Sequence, residues 1–392
     1  MKSLLKCGAL SFVLLITAVE VNYAQFGYSI STEQSYNSNP FRLPDENGEL
    51  INTFDLGLRF MKDDFNILYY GSYSSFTESA DRNYYWQQLG FYIENENTVY
   101  GIYGENRINK DIYDLYDYSD LTAYYRHRFL FDFAIPTINL SAAYRNYSNL
   151  SEYNNYFLSA GLSLNKSFES KTTFILTSAL NSKNYINTGV DYITETLGDT
   201  TFMSGRGRGR MIRTISPGEQ FVTQSSSIKN VQIFSNLRVA QSLFENTGAA
   251  LYFTNRSLLS NNGAFAGDIM YNQGDESDLY DDPVSRDENA LGINLTQILP
   301  LEITLKLGYE YSWRAYPSQG SYLTDIDYSN LIQREDEQSI FSLTANKSFS
   351  LNADDTIFLR ANLNYYYLKN TSNSYWYNYD NQQISFGLGL EF

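Results

Sequence analysis

The chain is poor in the residues that most often carry chemistry. Its 392 residues include one cysteine, Cys7, and one histidine, His127. Cys7 falls in the first 24 residues, so everything beyond them lacks a thiol, which excludes disulfides and thiolate catalysis. A lone histidine excludes multi-histidine metal centres and leaves no cofactor to expect. Beyond residue 24 there is no uninterrupted apolar run of helical spanning length, so the chain is not a helical membrane protein. Positive charge is scarce as well, with 28 Lys and Arg against 44 Asp and Glu, a net charge of −16. That balance argues against nucleic acid, because phosphate binding needs a basic footprint.

Aromatic residues, by contrast, are abundant: 36 Tyr and 25 Phe, in a chain whose mean hydropathy is only −0.38. The apolar residues alternate with small or polar ones in segment after segment, the period of a strand with one greasy face and one wet face. The final stretch, Ile384-Ser385-Phe386-Gly387-Leu388-Gly389-Leu390-Glu391-Phe392, shows this most cleanly. As an open edge such a strand would invite aggregation, and a closed barrel has no edge. With Phe386, Leu388, Leu390 and Phe392 on one face, this ending resembles the C-terminal signature strand of Gram-negative outer-membrane β-barrels. The resemblance implies recognition by the barrel-assembly machinery and contact with outer-membrane lipid and lipopolysaccharide. It names no specific family.

The first 24 residues read as a secretory signal peptide. Lys2 and Lys6 precede a short apolar run from Cys7 to Val19, and cleavage is expected after Ala24. Residues 25–392 then form a single barrel domain of net charge −17, since the removed segment carries Lys2, Lys6 and Glu20. Gln25 as the first residue, followed by so much Tyr and Asn, resembles exported proteins of Bacteroidota-type bacteria.

Sixteen strands are expected, in an antiparallel up-and-down transmembrane barrel; fourteen or eighteen would follow if one loop were misread. They fall near 26–36, 54–60, 65–76, 83–94, 98–107, 118–130, 138–144, 156–164, 172–185, 226–243, 247–257, 287–299, 302–314, 334–349, 356–370 and the final stretch. Short turns alternate with long polar loops, seven against eight. Outer-membrane barrels place short turns on the periplasmic side and long loops outside.

Within the strand over 302–314, Ile303, Leu305, Leu307, Tyr309, Tyr311 and Trp313 share one face and Lys306, Glu310 and Arg314 the other. A Lys or Arg on the lipid face at midplane costs roughly 2–4 kcal/mol, so the charged face must look into the lumen. Repeated strand by strand, this puts Arg59, Arg126, Arg128, Arg145, Arg238, Arg256, Lys306, Arg314 and Arg360 inward. The inward acids found this way are Asp55, Glu94, Glu310 and Glu391. A basic wall inside an acidic chain would favour anionic solutes. The other reading is that these arginines pair with acids to hold a plug or stiffen the wall.

Two long loops carry charge clusters. The loop over 186–225 contains Arg206, Arg208 and Arg210, each beside glycine, and then Arg213. It reads either as a basic constriction or lipopolysaccharide-phosphate site, or as a surface loop neutralised by its neighbours. The loop over 258–286 carries Asp275, Asp278, Asp281 and Asp282. These are oxygen ligands suited to calcium, but without EF-hand spacing, so a solvated acidic loop is the alternative.

Enzyme chemistry finds no foothold. Tyr125 and Phe129 flank His127 where a lipid-facing catalytic serine would be needed, and His127 falls at the turn end of its strand, away from the long loops. The expectation is a porin-like channel for passive diffusion of small hydrophilic solutes, with anions preferred. Two alternatives stand beside it. One is a structural or partner-binding barrel, an adhesin or secretion-system component, with a loop-plugged lumen. The other is a channel for hydrophobic substrates of the fatty-acid type.

Overall fold

The computed structural model describes residues 25–186, 190–194, 204–205, 220–224, 229–261, 282–354 and 356–392. The expected signal segment, the four loop arginines Arg206 to Arg213, and Asp275, Asp278 and Asp281 lie outside the described residues.

Sixteen strands close into one antiparallel barrel. Its first half consists of β1 (Gln25–Asn37), β2 (Glu49–Lys62), β3 (Phe65–Phe76), β4 (Tyr84–Glu94), β5 (Thr98–Asn109), β6 (Tyr118–Arg128), β7 (Ile135–Tyr147) and β8 (Asn155–Ser167). β9 (Thr172–Tyr185) continues it. Three short strands, β10 (Val190–Thr194), β11 (Ser204–Gly205) and β12 (Gln220–Gln224), form a separate antiparallel sheet in the loop that follows. The barrel resumes with β13 (Lys229–Phe244), β14 (Thr247–Asn261), β15 (Asp287–Leu299) and β16 (Ile303–Tyr322). It ends with β17 (Tyr328–Ser350), β18 (Phe358–Ser372) and β19 (Tyr379–Glu391).

Each barrel strand pairs with its neighbours in chain order, and β1 closes on β19. At the seam Phe392 N–H donates to the Tyr28 carbonyl at 2.9 Å and Tyr28 N–H to the Phe392 carbonyl at 3.2 Å. The two rings stack with centroids 4.3 Å apart. The terminal aromatic thus completes the closure that removes the edge.

Register carries the alternation round the whole barrel. Leu58 pairs with Tyr28 and Tyr69, Leu388 with Thr32 and Ala361, so apolar rows stay aligned from strand to strand. The outer rows have no protein over them: Phe386 is 51% exposed while its neighbour Ser385, facing inward, is 3% exposed. A continuous apolar surface of this kind is solvated by lipid. No helix among the described residues is long and apolar enough to cross a membrane. Aromatic residues gather at both ends of the band, with Tyr309, Tyr311 and Trp313 toward the long loops and Tyr125 and Phe129 toward the short turns.

The structure lengthens the strands beyond their expected ends on the long-loop side. β16 and β17 run to Tyr322 and from Tyr328, past the boundaries at 314 and 334, and form a hairpin pinned by the loop over 373–378. Asn373 accepts the Glu335 N–H at 2.9 Å and Trp376 Nε1–H donates to the Asp325 carbonyl at 3.0 Å. Polar side chains mask the alternation there, because neither face meets lipid.

Candidate functional site

The inward rows form the candidate site, and strand pairing assigns all nine predicted cations to them. Arg59 lies level with Gly27, Arg126 with Val99 and Asn139, and Arg238 with Ile175 and Tyr252. Lys306 lies level with Thr296 and Thr344, Arg314 with Glu288 and Asp336, and Arg360 with Ser348 and Gly389. Arg128, Arg145 and Arg256 follow the same alternation. What the cations do depends on their height in the barrel.

On the long-loop side they are paired and packed. Arg145 Nε donates to Asp120 at 3.3 Å, its Nη2 lies 3.7 Å from Glu105, and the guanidinium stacks over Tyr118 at 4.3 Å. Glu288 gathers three guanidiniums: Arg286 at 3.0 Å, Arg256 at 3.0 Å and Arg314 at 3.2 Å. Beside this cluster Arg334 forms a bidentate pair with Asp336 and is held between the rings of Tyr316 and Tyr377, at 3.8 and 3.3 Å. Arg334 and Asp336 are 2% and 3% exposed, so the pair is removed from water. Bidentate geometry and ring faces offset the desolvation of such groups.

Loops add to this packed layer. Glu49, at the start of β2, accepts the Glu78 and Ser79 N–H groups at 2.8 and 2.6 Å. Arg82 lies over Phe41 at 3.4 Å, tying the first loop to the second. Asp282, the one calcium candidate among the described residues, is occupied otherwise. Lys183 sits 3.1 Å from it, the Tyr185 hydroxyl donates to it at 3.1 Å, and it accepts the Val284 N–H at 3.0 Å. It is an ion-pair partner within the wall, and no group of metal-ligating side chains occurs among the described residues.

The expected set of four inward acids is therefore corrected. Glu33, Glu49, Glu105, Asp120, Glu288 and Asp336 also face inward, and Arg107, Lys183, Arg286 and Arg334 join the cations of the packed layer. Most of these lie at strand ends, where both faces are polar and the greasy rows that reveal the phase run out. A signal was present all the same. Arg286 and Glu288, Arg334 and Asp336, and Glu105 and Arg107 are opposite charges two residues apart, which in a strand share one face.

On the short-turn side the inward cations stand in the open. Arg59, Arg126, Arg128, Arg238, Lys306 and Arg360 are all exposed. Arg59, Arg126, Arg238 and Lys306 have no ion-pair partner among the described residues. Arg128 donates to the Glu96 carbonyl at 3.1 Å and Arg360 pairs with Glu391. The six come from β2, β6, β13, β16 and β18, so they are spread round the circumference. Glu94 and Glu391 oppose them at this level. Glu33, Asp55 and Glu310 occupy the middle of the barrel, Glu33 taking Asn362 Nδ2 at 3.4 Å and Asp55 the Ser31 hydroxyl at 2.9 Å.

His127 points the other way. It lies level with Thr98, Nδ1 2.7 Å from the Thr98 hydroxyl, on the outward row between the rings of Tyr125 and Phe129. This is an interfacial position at the short-turn end of the band, in line with its expected place at the turn end of its strand.

No protein-family model matches the chain, and no curated protein resembles it in sequence. Among solved structures, OccAB1 of Acinetobacter baumannii is 9% identical with a TM-score of 0.50, over 95% of this chain and 97% of that one. OccAB3 of the same organism is 9% identical with a TM-score of 0.49, over 94% and 99%. The outer membrane protein opdK of Pseudomonas aeruginosa is also 9% identical with a TM-score of 0.49, over 94% and 98%. At such identity the likeness is one of fold along the whole barrel, and the fold is that of the outer-membrane β-barrels.

Proposed function

We propose that the chain is a porin-like channel of the outer membrane through which small hydrophilic solutes diffuse passively, with anions preferred at the short-turn mouth. The observation that carries this reading is the set of exposed inward cations Arg59, Arg126, Arg238 and Lys306, spread round the barrel and without an ion-pair partner among the described residues. Fixed charges of one sign around a wet opening raise the local concentration of counter-ions and bias what enters. The small polar side chains on the inward rows of β7, β8 and β9 suit a hydrated solute.

The reading includes the rest of the expected biology: export by a cleaved segment over 1–24, assembly through the final strand, and lipopolysaccharide around the outer end. Replacing Phe392 with Ser removes the ring stacked on Tyr28, and the expected outcome is a lower yield of heat-resistant folded barrel on electrophoresis, with the residual barrel unchanged in conductance.

The deciding measurement is single-channel conductance of the refolded protein in a planar bilayer, with the reversal potential under a salt gradient. Stable steps with anion preference are expected. Cation preference would remove the role given to the inward cations and leave the pore. Absence of conductance would favour the second reading, a partner-binding barrel closed by its loops, which the buried network around Glu288, Asp336 and Glu49 supports.

A further inference from the structure

The barrel interior is uneven in another property than charge. On β7, β8 and β9 the inward rows are mostly small and polar, with Ser159 donating to Asn181 at 2.8 Å and Ser163 bonded to Thr177 at 3.0 Å. Across β3 to β6 they carry large aromatic rings among polar and small residues. Trp86, Tyr70, Tyr103 and the pair Tyr92 and Tyr124 occupy four successive inward rows, read from the long-loop side toward the short turns. Successive rows are two residues apart, about 7 Å along a strand. Tyr70 is 38% exposed and the other four are half-buried, so each offers part of a ring to the lumen.

The backbone makes room for these rings. A Cβ on Gly101 would lie 2.6 Å from Tyr92 Cβ and 3.0 Å from the Tyr124 hydroxyl, and one on Gly90 3.4 Å from Tyr103 Cβ. Tyr70 and Trp86 meet edge to face at 5.5 Å, and Tyr103 and Tyr124 lie 6.1 Å apart. The rings therefore form two touching pairs on successive rows of one wall, with the Gln88 amide level with Tyr70 and Arg126 one row below Tyr124.

We infer that these rings are a binding track for a linear oligosaccharide. The inference rests on the reading of the barrel as a channel. The axial C–H face of a sugar ring is apolar and packs on aromatic faces, while its hydroxyls pair with tyrosine hydroxyls and amides at the edges. A single-ring solute would need one aromatic seat, whereas rings repeated over four rows match a solute that is itself a row of rings. The Tyr70 hydroxyl is already bonded to Asp55, and a hydrocarbon chain would still leave the Gln88 amide without a partner, which a sugar hydroxyl supplies.

The test is interruption of the open-channel current by maltohexaose and, as an acidic counterpart, by hexagalacturonate, with glucose as the short control. Both hexasaccharides should interrupt the current for longer than glucose. Longer interruptions by the galacturonate would show that the adjoining cations contribute, and equal ones that the rings suffice. Trp86→Ala and Tyr124→Ala should each shorten the interruptions about two- to ten-fold, and Trp86→Phe and Tyr124→Phe should restore them. Normal conductance steps without interruption by either hexasaccharide would overturn the track and leave the channel. If no steps appear, Trp86 fluorescence decides: in a Trp313→Phe, Trp376→Phe protein it is the one remaining tryptophan. A saturable change with maltohexaose supports the track, and no change overturns it.

Discussion

The two halves of the barrel interior carry arginine on the same inward face but surround it differently. Toward the long loops Arg145, Arg256, Arg314 and Arg334 are matched to carboxylates, and Arg314 and Arg334 are almost completely buried. Toward the short turns Arg59, Arg126 and Arg238, with Lys306, stand exposed. The difference lies in what surrounds them. Strands that outrun the membrane band and loops that fold over the rim bring carboxylates and aromatic rings to the outer arginines. Turns of a few residues bring almost none to the inner ones. An inward cation is thus held in ion pairs where it is buried and left exposed where it is wet.

The sharpest way to break this contrast is Glu288→Gln, which leaves three guanidiniums around a neutral amide. Removing one partner of a buried charge cluster costs about 3–5 kcal/mol, so the urea midpoint of the refolded barrel in detergent should fall substantially. Asp336→Asn should do the same through Arg334. Next in size is the reciprocal change in the inner half. Combined Arg59→Gln, Arg126→Gln and Lys306→Gln should abolish anion preference in the reversal potential, while unfolding stays within about 0.5 kcal/mol of the parent, as for other solvated surface changes. Arg314→Gln tests the contrast from the other side: it should lower the unfolding midpoint and leave the reversal potential almost unmoved, although Arg314 also faces inward. The smallest effect is expected from salt. Raising ionic strength from 0.1 to 1 M shortens the screening length from about 10 to 3 Å, so the anion preference should weaken, while the buried Glu288 cluster should hold.

Much of this was legible in the residues. Alternation over the last strand announced a barrel, and in β16 the opposition of Ile303, Leu305 and Leu307 to Lys306 and Arg314 set which face is wet. That worked because one face of every strand meets lipid, and lipid tolerates no error of phase. The pairing of Arg145, Arg256 and Arg314 was not legible in the same way. Their partners come from neighbouring strands or strand ends, where both faces are polar and phase leaves no imprint. The aromatic residues facing inward on β3 to β6 were not legible for a related reason: in those strands aromatic residues occupy both faces, so composition alone does not separate the lumen rings from the lipid ones.

By itself the sequence determined the class of structure, its sixteen strands and the facing of each, because burial in lipid imposes a period of two that every strand must obey. It also determined that residues 25–392 hold no thiol and that the chain holds no histidine cluster, since its one cysteine is Cys7 and its one histidine His127. The tertiary structure alone decided which inward charges are spent on one another and which face the lumen free, and which rings line up into one track. Apart from pairs two residues apart such as Arg334 and Asp336, those outcomes depend on register and on which strands become neighbours in space, contacts between residues tens of positions or more apart.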